Sequence, residues 1–408
     1  MPADNEKKVL EALLSGKMHI SGAAGVLEPK SAVSVRRRFI ESEAKTALPS
    51  ISLFSFDANA AATKNTENLI GAVHVPLGVA GPLRISGEFA KGSFYVPLAT
   101  TEGALIASVN RGAKAITESG GATVRIISNK MTRAPVFKTS GIKQSLEVSK
   151  WVDSNFAELK KLAGSTTKFG ELTGARTWVA GKSVYVRFEF DTKDAMGMNM
   201  VTIASDAMSK LIEAKTKAKC LSVSGNMCID KKPSALSMIE GRGKSVVAEA
   251  VIKKDIVKSV LKTTPEDIVE LNYRKNLMGS ALAGSLGHNA QFANMVAAMY
   301  IATGQDPAHV VEGSLGITMA EQDANGLYIS VYMPAVNVGT VGGGTGLATQ
   351  KEALSILGCA GSTATPGETA KKFAEIVAAT VLSGELSVLA AQASGQMTRA
   401  HVKLGRGK

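Results

Sequence analysis

Cysteine and histidine are scarce in this sequence. Its 408 residues include three cysteines, Cys220, Cys228 and Cys359, and five histidines. Neither residue type occurs at the spacing of a metal-ligand set, so we predict that the protein has no structural zinc or other metal site. Three sparse cysteines, odd in number, fit a protein of the reducing cytosol.

Aromatic residues are also few, at 5% of the chain, although the formal net charge is +12. The basic residues are dispersed, and no basic block is interleaved with aromatic side chains that could stack on bases. We therefore do not expect nucleic acid as a partner. Small polyanionic ligands suit this positive charge better.

Long uninterrupted hydrophobic segments are missing. The N-terminal residues MPADNEKKVLEALLSGKMHI carry acids and lysines where a signal peptide requires an apolar core. The longest apolar region, 281–303, is interrupted by glycines and polar residues, so it predicts a buried helix rather than a membrane span. We expect a soluble, cytoplasmic protein without a membrane partner.

Glycine, in contrast, is abundant. The chain has 40 glycines, which favour tight turns and close approach of backbone segments. Apolar residues make up 45% and charged residues 20%, as in an ordinary globular protein. At this length the chain exceeds the usual size of one domain, so two or three domains are expected.

Hydrophobic periodicity and turn residues divide the chain into segments of predicted helix and strand. These are short helices within 5–48, strands within 67–100, a helix over 102–117, short strands alternating with one helical run within 123–190, and a helix over 201–217. Thr100 or Thr101 could cap the helix over 102–117, with Glu102 in its first turn. The alternation after residue 123 suggests a compact α+β unit inserted between two halves of a larger domain.

One charged segment is unusual in composition. Residues 224–233, SGNMCIDKKP, contain glycine, asparagine and a closing proline, which break regular structure and predict a fixed loop. Asp230, Lys231 and Lys232 stand in a row there, and a lysine in such a loop can bind an anion or stabilise an oxyanion. Taken alone, the segment could equally be a solvated charged turn.

Seven segments together resemble the 3-hydroxy-3-methylglutaryl-coenzyme A (HMG-CoA) reductase family. They follow the family's order along the chain: ENLIGAVHVPLGVAGPL (67–83), PLATTEGALIASVNRGAKAI (97–116), DAMGMNM (194–200), SGNMCIDKKP (224–233), IEGRGKSVVAEAVI (239–252), KNLMGSALAGSLGHNAQFANMVAAMYIATGQD (275–306) and GTVGGGTGLATQ (339–350). The chain is similar to the soluble catalytic portion of class I, the archaeal and eukaryotic type. Eukaryotic relatives carry an added membrane anchor that we do not expect here.

The resemblance implies an α+β fold. A large domain would be built around a long central helix, for which 275–303 is the candidate, with a small ferredoxin-like cofactor-binding domain inserted into it. The expected divisions are 1–70 for a helical N-terminal domain, 71–134 and 235–408 for the large HMG-CoA-binding domain, 135–222 for the inserted NADP(H)-binding domain, and 223–234 for the connecting active-site loop.

Four residues match the family's catalytic positions. The resemblance implies that Lys231 stabilises the oxyanion formed when hydride adds to a thioester carbonyl. Glu102 would donate a proton to that oxygen, which requires burial or nearby acids to keep the carboxyl group protonated. Asp306 would hydrogen-bond Lys231 and Glu102, and His401 would protonate the departing CoA thiolate. Without the resemblance, Glu102 would be read as a helix-terminal acid, Asp306 as a turn residue before Pro307, and His401 as a surface histidine.

The C-terminal tail departs from relatives at two positions. Ala400 stands where the family often has a serine beside the histidine, so a serine-assisted contact is not expected. Gly407 stands where relatives controlled by phosphorylation carry a serine. The resemblance therefore implies that this control is absent.

Nine further residues match positions that hold the substrate. They are Arg133, Ser224, Asp230, Lys232, Lys275 and Asn294 around the hydroxymethylglutaryl group, and Ser108, Asn110 and Arg111 near CoA. Arg133 could be a surface charge, but the fork of an arginine suits a carboxylate. The last three could instead be ordinary polar residues on a helix surface.

The cofactor positions lie outside any GxGxxG fingerprint, and none follows a strand in this chain. The family binds NADPH through the DAMGMNM segment, and the implied contacts are Thr167, Lys168, Phe169, Asp194, Met196, Gly197, Met198, Asn199, Met200, Val341 and Gly342. Lys168 replaces an arginine of relatives, which keeps the charge but loses the bidentate geometry. NADPH is therefore favoured over NADH, although the methionines could simply fill a core.

The reaction implied is the reduction of (S)-HMG-CoA to (R)-mevalonate and CoA with two NADPH and no metal, in a homodimer or a tetramer. Two other functions stay open at this point. An acyltransferase could use Cys228 as nucleophile, and a non-catalytic CoA-binding module would not need Glu102, Asp306 and His401 together.

Overall fold

The computed structural model describes residues 2–395, with side chains from residue 4 onward. Its strands are β1 Leu77–Ser86, β2 Lys91–Ala99, β3 Ala122–Arg133, β4 Val136–Lys138, β5 Glu171–Ala180, β6 Ser183–Asp191, β7 Lys219–Ser222, β8 Gly243–Lys253, β9 Gly287–His288, β10 Gly316–Asp323 and β11 Gly326–Val336. The fold is therefore mixed, with these strands interleaved among helices.

Helices occupy most of the remaining chain. They are α1 Pro2–Leu14, α2 Pro29–Ala44, α3 Ala58–Lys64, α4 Leu105–Glu118, α5 Ile142–Ser154, α6 Phe156–Thr166, α7 Met198–Thr216, α8 Ala235–Glu240, α9 Lys254–Ile256, α10 Pro265–Leu271, α11 Ser280–Leu282, α12 Phe292–Thr303, α13 Val310–Gly313, α14 Ala348–Ile356 and α15 Glu368–Ala393. Short 3₁₀ turns cover Ile20–Gly25, Pro307–His309 and Gly343–Gly346, and π-helical turns cover Val257–Leu261 and Asn272–Gly279.

The strands form one continuous mixed sheet. Its main path runs β7-β4-β6-β3-β8-β11-β10-β9, with β1 and β2 attached through β3 and β5 attached to β6. Strand β3 joins the two halves, because residues 123–130 pair with β8 and residues 131–133 pair with β6. Most pairings are antiparallel, and β1–β3 and β9–β10 are parallel.

Apolar side chains are buried in separate clusters on the two halves of this sheet. The larger cluster surrounds α15 and α12, with β1, β2, β8 and β11 packed against them. The smaller cluster joins β4, β5 and β6 to α5, α6 and α7. A third, small cluster joins α1 to α2 near the N-terminus. Each half therefore has its own hydrophobic contacts.

Helix α15 is the central helix of the larger half. It is the one helix among the described residues that is long and apolar enough to cross a membrane, and 94% of that stretch is buried inside the protein. Two of its three acids are buried, and each of these two accepts hydrogen bonds from backbone N–H groups. Glu375 accepts the N–H groups of residues 88–90, and Glu385 accepts those of Ala290 and Gln291 and the hydroxyl of Thr318. Burial raises the pKa of both carboxyl groups.

The prediction that 275–303 supplies the central helix is wrong. Residues 272–279 form a π-helical turn, Gly284 takes a left-handed φ of 67°, and a regular helix resumes only at α12. Gly284, Gly287 and the polar residues after them interrupt the helix even though the segment is apolar on average. The long helix is α15 instead, in which two of the three acids are buried.

Other helix predictions need smaller corrections. The helix expected from residue 102 begins at Leu105, after Ala104 in a left-handed conformation, so Thr100 and Thr101 do not cap it and Glu102 precedes it. The helical run over 145–164 is split at Asn155 into α5 and α6. Residues 67–76 are not strand. The N-terminal helices and the helix over 201–217 are confirmed.

Candidate functional site

The loop predicted over 224–233 connects β7 to α8. Asn226, Ile229 and Lys231 all have left-handed backbone conformations, with φ of 66°, 57° and 57°. Non-glycine residues rarely adopt this region, and they persist there only when surrounding contacts impose it. Two such contacts are the bond from the Gly225 N–H to the Ala134 carbonyl, at 2.6 Å, and that from the Thr132 hydroxyl to the Cys228 carbonyl, at 3.0 Å. The loop is thus held by β3.

Lys231 forms an ion pair with Asp306, as the sequence predicted. Its Nζ lies 2.8 Å from Asp306 Oδ2, with both side chains partly open to solvent. Asp306 also accepts the Ala308 N–H, at 3.0 Å, at the start of a 3₁₀ turn. Burial raises the pKa of Asp306, but Lys231 and the Ala308 N–H outweigh this effect and bring it below its usual value. Asp306 is therefore ionised at neutral pH, and both side chains can be reached by a ligand.

A fully buried arginine lies beneath this pair. Arg242 donates through Nη1 to both carboxylate oxygens of Glu312, each at 2.9 Å, and its Nη2 lies 3.1 Å from Asp230 Oδ1. Its Nε donates to the Thr132 hydroxyl at 3.1 Å. Glu312, also fully buried, accepts the backbone N–H of Lys231. The network thus connects the loop to the sheet and to α13.

His309 fills the space between three carboxylates. Its Nε2 lies 3.6 Å from both Asp230 Oδ1 and Asp306 Oδ2, and its Nδ1 lies 3.9 Å from Glu312 Oε1. Burial lowers the pKa of His309, and the Arg242 charge lowers it further against the opposing effect of the carboxylates. The imidazole is therefore expected to be neutral near pH 7.

Asp230, His309 and Glu312 also meet the geometric requirement for a metal site, since their ligand atoms lie within 4.8 Å of one another. The Arg242 guanidinium, however, already contacts both carboxylates. A divalent cation would have to share this space with a fixed positive charge. The cluster is thus built around arginine, and these residues do not fit a metal.

Among the described residues, Glu102 is not bonded to the Lys231–Asp306 pair. Its carboxylate accepts a hydrogen bond from Asn294 on α12, at 3.3 Å, and its own N–H bonds the Thr100 hydroxyl at 3.0 Å. Its side chain is exposed within the described chain, in contrast to the burial expected for a proton donor. Among the described residues Asp306 bonds Lys231 and Ala308, so the expected contact between Asp306 and Glu102 is not formed in one chain.

Several predicted substrate residues do gather at the loop. Arg133 Nη1 lies 3.6 Å from Asp230 Oδ2, and its Nε donates to Thr202 at 3.0 Å. Lys232 Nζ donates to the Asp230 carbonyl at 3.2 Å. Ser224 Oγ lies 3.2 Å from Cys228 Sγ. Positive charge from Arg133, Lys231 and Lys232 is thus concentrated here, as binding of a carboxylate requires.

The Cys228 thiol is fully buried. Burial raises its pKa, but hydrogen bonds from Ser224 and the loop backbone, with the charges of Arg133 and Arg242, lower it below its usual value. A thiol without solvent exposure cannot reach an acyl donor unless the loop opens. This geometry disfavours a nucleophilic role.

The remaining substrate residues lie elsewhere. Ser108 and Arg111 on α4 both bond Ser387 of α15, at 3.0 and 3.1 Å, while Asn110 accepts the Gly81 N–H at 2.7 Å. Gly112 permits this contact between α4 and α15, because a Cβ there would lie 1.9 Å from the Ser383 carbonyl. Lys275 lies in the π-helical turn and bonds Asn276 at 3.4 Å.

The predicted cofactor residues converge at the start of α7. Gly197 has a φ of 91° and precedes Met198, and the helix has no side-chain cap there. A Cβ on Gly197 would lie 2.4 Å from Thr192, so the turn requires glycine. The Thr167 hydroxyl donates to Met200 Sδ at 2.8 Å, which places the exposed Lys168 and Phe169 beside this helix start. Uncapped N–H groups and a lysine form a site suited to an anion.

Asp194 has a different environment from the other cofactor residues. Its two carboxylate oxygens accept the N–H groups of Gly367 and Ala370, at 2.8 and 3.0 Å, at the N-terminus of α15. Its carbonyl accepts the Thr340 N–H at 2.7 Å, and Ala195 pairs with Val341. The DAMGMNM segment is therefore fixed against the central helix and beside the 341–342 turn. Met196 and Met198 pack on the smaller cluster, and Asn199 is exposed.

The sequence reasoning missed Arg242, His309, Glu312 and Asn337. Arg242 lies in IEGRGK, within a segment that carried the resemblance. His309 and Glu312 lie in GQDPAHVVEG, which runs on from the end of another such segment, and the chain has few histidines. Those signals could have marked Arg242 and His309. Nothing local marks Glu312 as buried, because its partners are distant in sequence. His401 lies outside the described residues.

Comparison with known proteins identifies the family of this chain. The family model for hydroxymethylglutaryl-coenzyme A reductase matches residues 32–406. The 3-hydroxy-3-methylglutaryl-coenzyme A reductase of Pyrococcus horikoshii is 51% identical, covering 98% of each chain, and that of Methanocaldococcus jannaschii is 50% identical over 99% of this chain and 100% of its own. Reductase 1 of Dictyostelium discoideum is 44% identical over 92% of this chain and 69% of its own.

A solved structure shares the fold at much lower identity. The class II 3-hydroxy-3-methylglutaryl-CoA reductase of Streptococcus pneumoniae, bound to NADPH in open conformations, matches with a TM-score of 0.67 and 18% identity. The match covers 92% of this chain and 100% of that one. With the family match over most of the chain, these findings show that this protein belongs to the hydroxymethylglutaryl-coenzyme A reductase family.

Proposed function

We propose that the protein reduces (S)-HMG-CoA to (R)-mevalonate. HMG-CoA, two NADPH and two protons would give mevalonate, CoA and two NADP⁺. The observation that carries this proposal is the Lys231–Asp306 pair at 2.8 Å, placed on a loop whose left-handed backbone is fixed by buried groups. Family membership indicates HMG-CoA as the substrate, and the loop provides a fixed cation for the developing oxyanion.

Lys231 would stabilise negative charge on the carbonyl oxygen in each hydride addition. The first addition converts the thioester to a hemithioacetal, and the second reduces the aldehyde released from it. A preorganised ammonium group lowers the barrier because no solvent has to reorganise around the new charge. Asp306 would hold the Lys231 side chain, and Glu102 would supply the proton to the alkoxide. His401 would protonate the CoA thiolate when the hemithioacetal collapses.

The substrate carboxylate would bind the cationic side of the loop. Arg133 and Lys232 both contact Asp230, which leaves part of their hydrogen-bonding capacity free for a ligand. Ser224, Lys275 and Asn294 would contribute further contacts. Ser108, Asn110 and Arg111 would lie near CoA, although their side chains also join α4 to neighbouring elements.

NADPH supplies the hydride when it is bound. The N-terminus of α7 and Lys168 fit its phosphate groups, because both present unpaired positive character at one place. Gly197, Asn199 and Met200 would form the turn around the cofactor, with Phe169, Val341 and Gly342 nearby. Asp194 would act indirectly by fixing this turn to α15.

The arrangement of hydrophobic clusters supports the expected domain division. The smaller cluster includes residues from Met131 to Ala218, close to the proposed inserted domain of 135–222, and the larger cluster contains β1, β2, β8 and α15 on either side of it in sequence. We propose that the protein acts in the cytoplasm as a dimer or tetramer. An exposed Glu102 is consistent with a site completed by a second copy.

The other two functions fit the structure less well. An acyltransferase would need an accessible Cys228, which is fully buried. A non-catalytic CoA-binding module would not require a charged Lys231–Asp306 pair. Normal turnover by a Cys228→Ala variant would exclude the first of these, and any turnover would exclude the second.

The direct test is NADPH oxidation by the purified protein with HMG-CoA, followed by identification of mevalonate and CoA as products. We expect two NADPH consumed for each mevalonate formed. NADPH oxidation without mevalonate, or no oxidation at any substrate concentration, would contradict the proposal.

A further inference from the structure

The backbone of Lys231 is attached to a buried carboxylate. Glu312, with 0% exposure, accepts the Lys231 N–H through Oε1. Lys231 has a φ of 57°, in the left-handed region that non-glycine residues rarely adopt. The bond from Glu312 is therefore made to a residue whose backbone conformation is unfavourable without supporting contacts.

Every partner of Glu312 is a hydrogen-bond donor. Besides the Lys231 N–H, it accepts from Arg242 Nη1 at both oxygens, at 2.9 Å, and from Asn337 Nδ2 at Oε2, at 2.6 Å. Arg242 in turn contacts Asp230, the residue before Lys231, at 3.1 Å. The carboxylate thus holds the backbone at residue 231 directly and the side chain of Asp230 through the arginine.

We propose that Glu312 is a positioning residue for Lys231, a role that rests on the proposed function. It fixes the peptide at the base of the lysine, while Asp306 fixes the ammonium group at its end. Two-point attachment keeps Nζ where the oxyanion forms without involving Glu312 in any contact with substrate. Displacement of a catalytic group by about 1 Å can cost on the order of 100-fold in rate.

Two substitutions at Glu312 distinguish the effect of its side-chain length from the effect of its charge. Glu312→Gln keeps the length but must turn an NH₂ group towards a donor. Glu312→Asp keeps the charge opposite Arg242 but withdraws the carboxylate from the Lys231 N–H. We expect both variants to lose about 10- to 100-fold in kcat with HMG-CoA and with mevaldehyde, while KM for NADPH changes by less than about twofold.

Glu375→Gln is the matched control. Glu375 is another fully buried carboxylate that accepts only N–H donors, but those donors belong to residues 88–90, away from the loop. We expect this variant to lose thermal stability and to keep its kcat. If its kcat fell as far as that of Glu312→Gln, the effect would reflect general loss of stability, and the proposal would fail.

A second measurement does not depend on activity. Hydrogen exchange of the peptide containing residues 224–233 should be faster in both Glu312 variants than in wild type, and unchanged in Glu375→Gln. Wild-type exchange and kcat in Glu312→Asp would show that only the charge beside Arg242 matters, and would overturn the proposal. If Glu312→Gln does not fold, Glu312→Asp carries the test. A wild-type protein that fails to reduce HMG-CoA would refute the proposed function while leaving the exchange result to decide this one.

Discussion

Lys231 is held both at its side-chain ammonium group and at its backbone N–H. The Lys231 ammonium group pairs with Asp306 at 2.8 Å, and its peptide N–H is bound by Glu312. Both attachments come from the segment 306–312. The conformation of one lysine therefore depends on residues about 80 positions later in the chain.

Replacement of Lys231 by alanine should nearly abolish reduction without unfolding the protein. The oxyanion would form without its cation, and loss of one such donor commonly costs about 100- to 1,000-fold in kcat. Steady-state rates with HMG-CoA and with mevaldehyde measure this, with circular dichroism to check folding. Lys262→Ala, at an exposed turn distant in sequence from the loop, serves as control. Near wild-type rates with both substrates would contradict the assignment.

His401→Gln should separate the two reductive steps. If His401 protonates the CoA thiolate, its loss should slow HMG-CoA reduction, where CoA must leave as a thiol. Reduction of free mevaldehyde releases no thiol, so it should retain far more of its rate. Comparison of the two kcat values in this variant is the measurement. Equal loss of both activities would indicate a structural or cofactor-binding role instead.

At the scale of elements, helix ends and buried strands determine where charge can be placed. The uncapped start of α7 lies beside Lys168 through the contact of Thr167 with Met200, while the start of α15 is capped by Asp194. The start of α7 is thus open to a proposed ligand, whereas the N–H groups at the start of α15 are bound within the protein. The sequence showed the glycine and methionine pattern at α7 but not the cap at α15.

Lys168→Ala should weaken discrimination between NADPH and NADH. A charge-assisted contact to the 2′-phosphate is worth about 1.5–3 kcal/mol, which corresponds to roughly a 10- to 150-fold change in the ratio of the two Kd values. Binding titrations of both cofactors to this variant provide the measurement. Lys161→Ala, an exposed lysine on α6, is a suitable control. An unchanged ratio would mean that the phosphate binds elsewhere.

The pH dependence of stability should reveal the buried Lys244 on β8. Burial lowers its pKa from 10.5 to about 8, and its Nζ donates to the Val338 carbonyl at 3.3 Å. Between pH 8 and 10.5 the unfolded chain then binds more protons at this lysine than the folded chain, so the free energy of unfolding rises with pH. Across this pH range the free energy of unfolding should rise by an amount on the order of 3 kcal/mol because of Lys244.

Lys244→Met should abolish the increase in the free energy of unfolding between pH 8 and 10.5. Urea unfolding of wild type and variant at pH 7, 8, 9 and 10 isolates the contribution, because other titrating groups are common to both proteins. The difference in unfolding free energy should shift in favour of wild type as the pH increases. A difference that stays constant across this range would show that Lys244 does not titrate there.

At the scale of the whole molecule, no hydrogen bond or ion pair among the described residues of one chain joins Glu102 to the Lys231–Asp306 pair. Glu102 bonds Asn294 and is exposed, whereas Lys231 bonds Asp306. A proton donor for the alkoxide has to lie near Lys231 in the working site. A second copy of the chain could bring a Glu102 to it, in agreement with the proposed dimer.

Mixing two inactive variants tests this arrangement. In a mixed dimer of Lys231→Ala and Glu102→Gln, a site that takes these residues from different chains is wild type at one of its two copies. A site that takes both from one chain stays defective at each copy. We expect activity to return after the two variants are unfolded and refolded together, but not when each is refolded alone. No recovery in demonstrated mixed dimers would place both residues in one chain.

The sequence by itself determined the family, the loop over 224–233 and the local helices such as α7, and the resemblance implied the Lys231–Asp306 pair. The loop and the helices follow from residue types at short spacing, whereas the family and the pair follow from segments whose order is preserved. Only the tertiary structure decided that α15 rather than 275–303 is the central helix, that Asp194 caps it, and that Glu312 and Arg242 lie buried beneath Lys231. A buried charge is tolerated when distant groups satisfy it, and hydrophobic periodicity contains no information about those partners. The local pattern therefore fixes which residues can do chemistry, while long-range packing fixes which of them are held in place to do it.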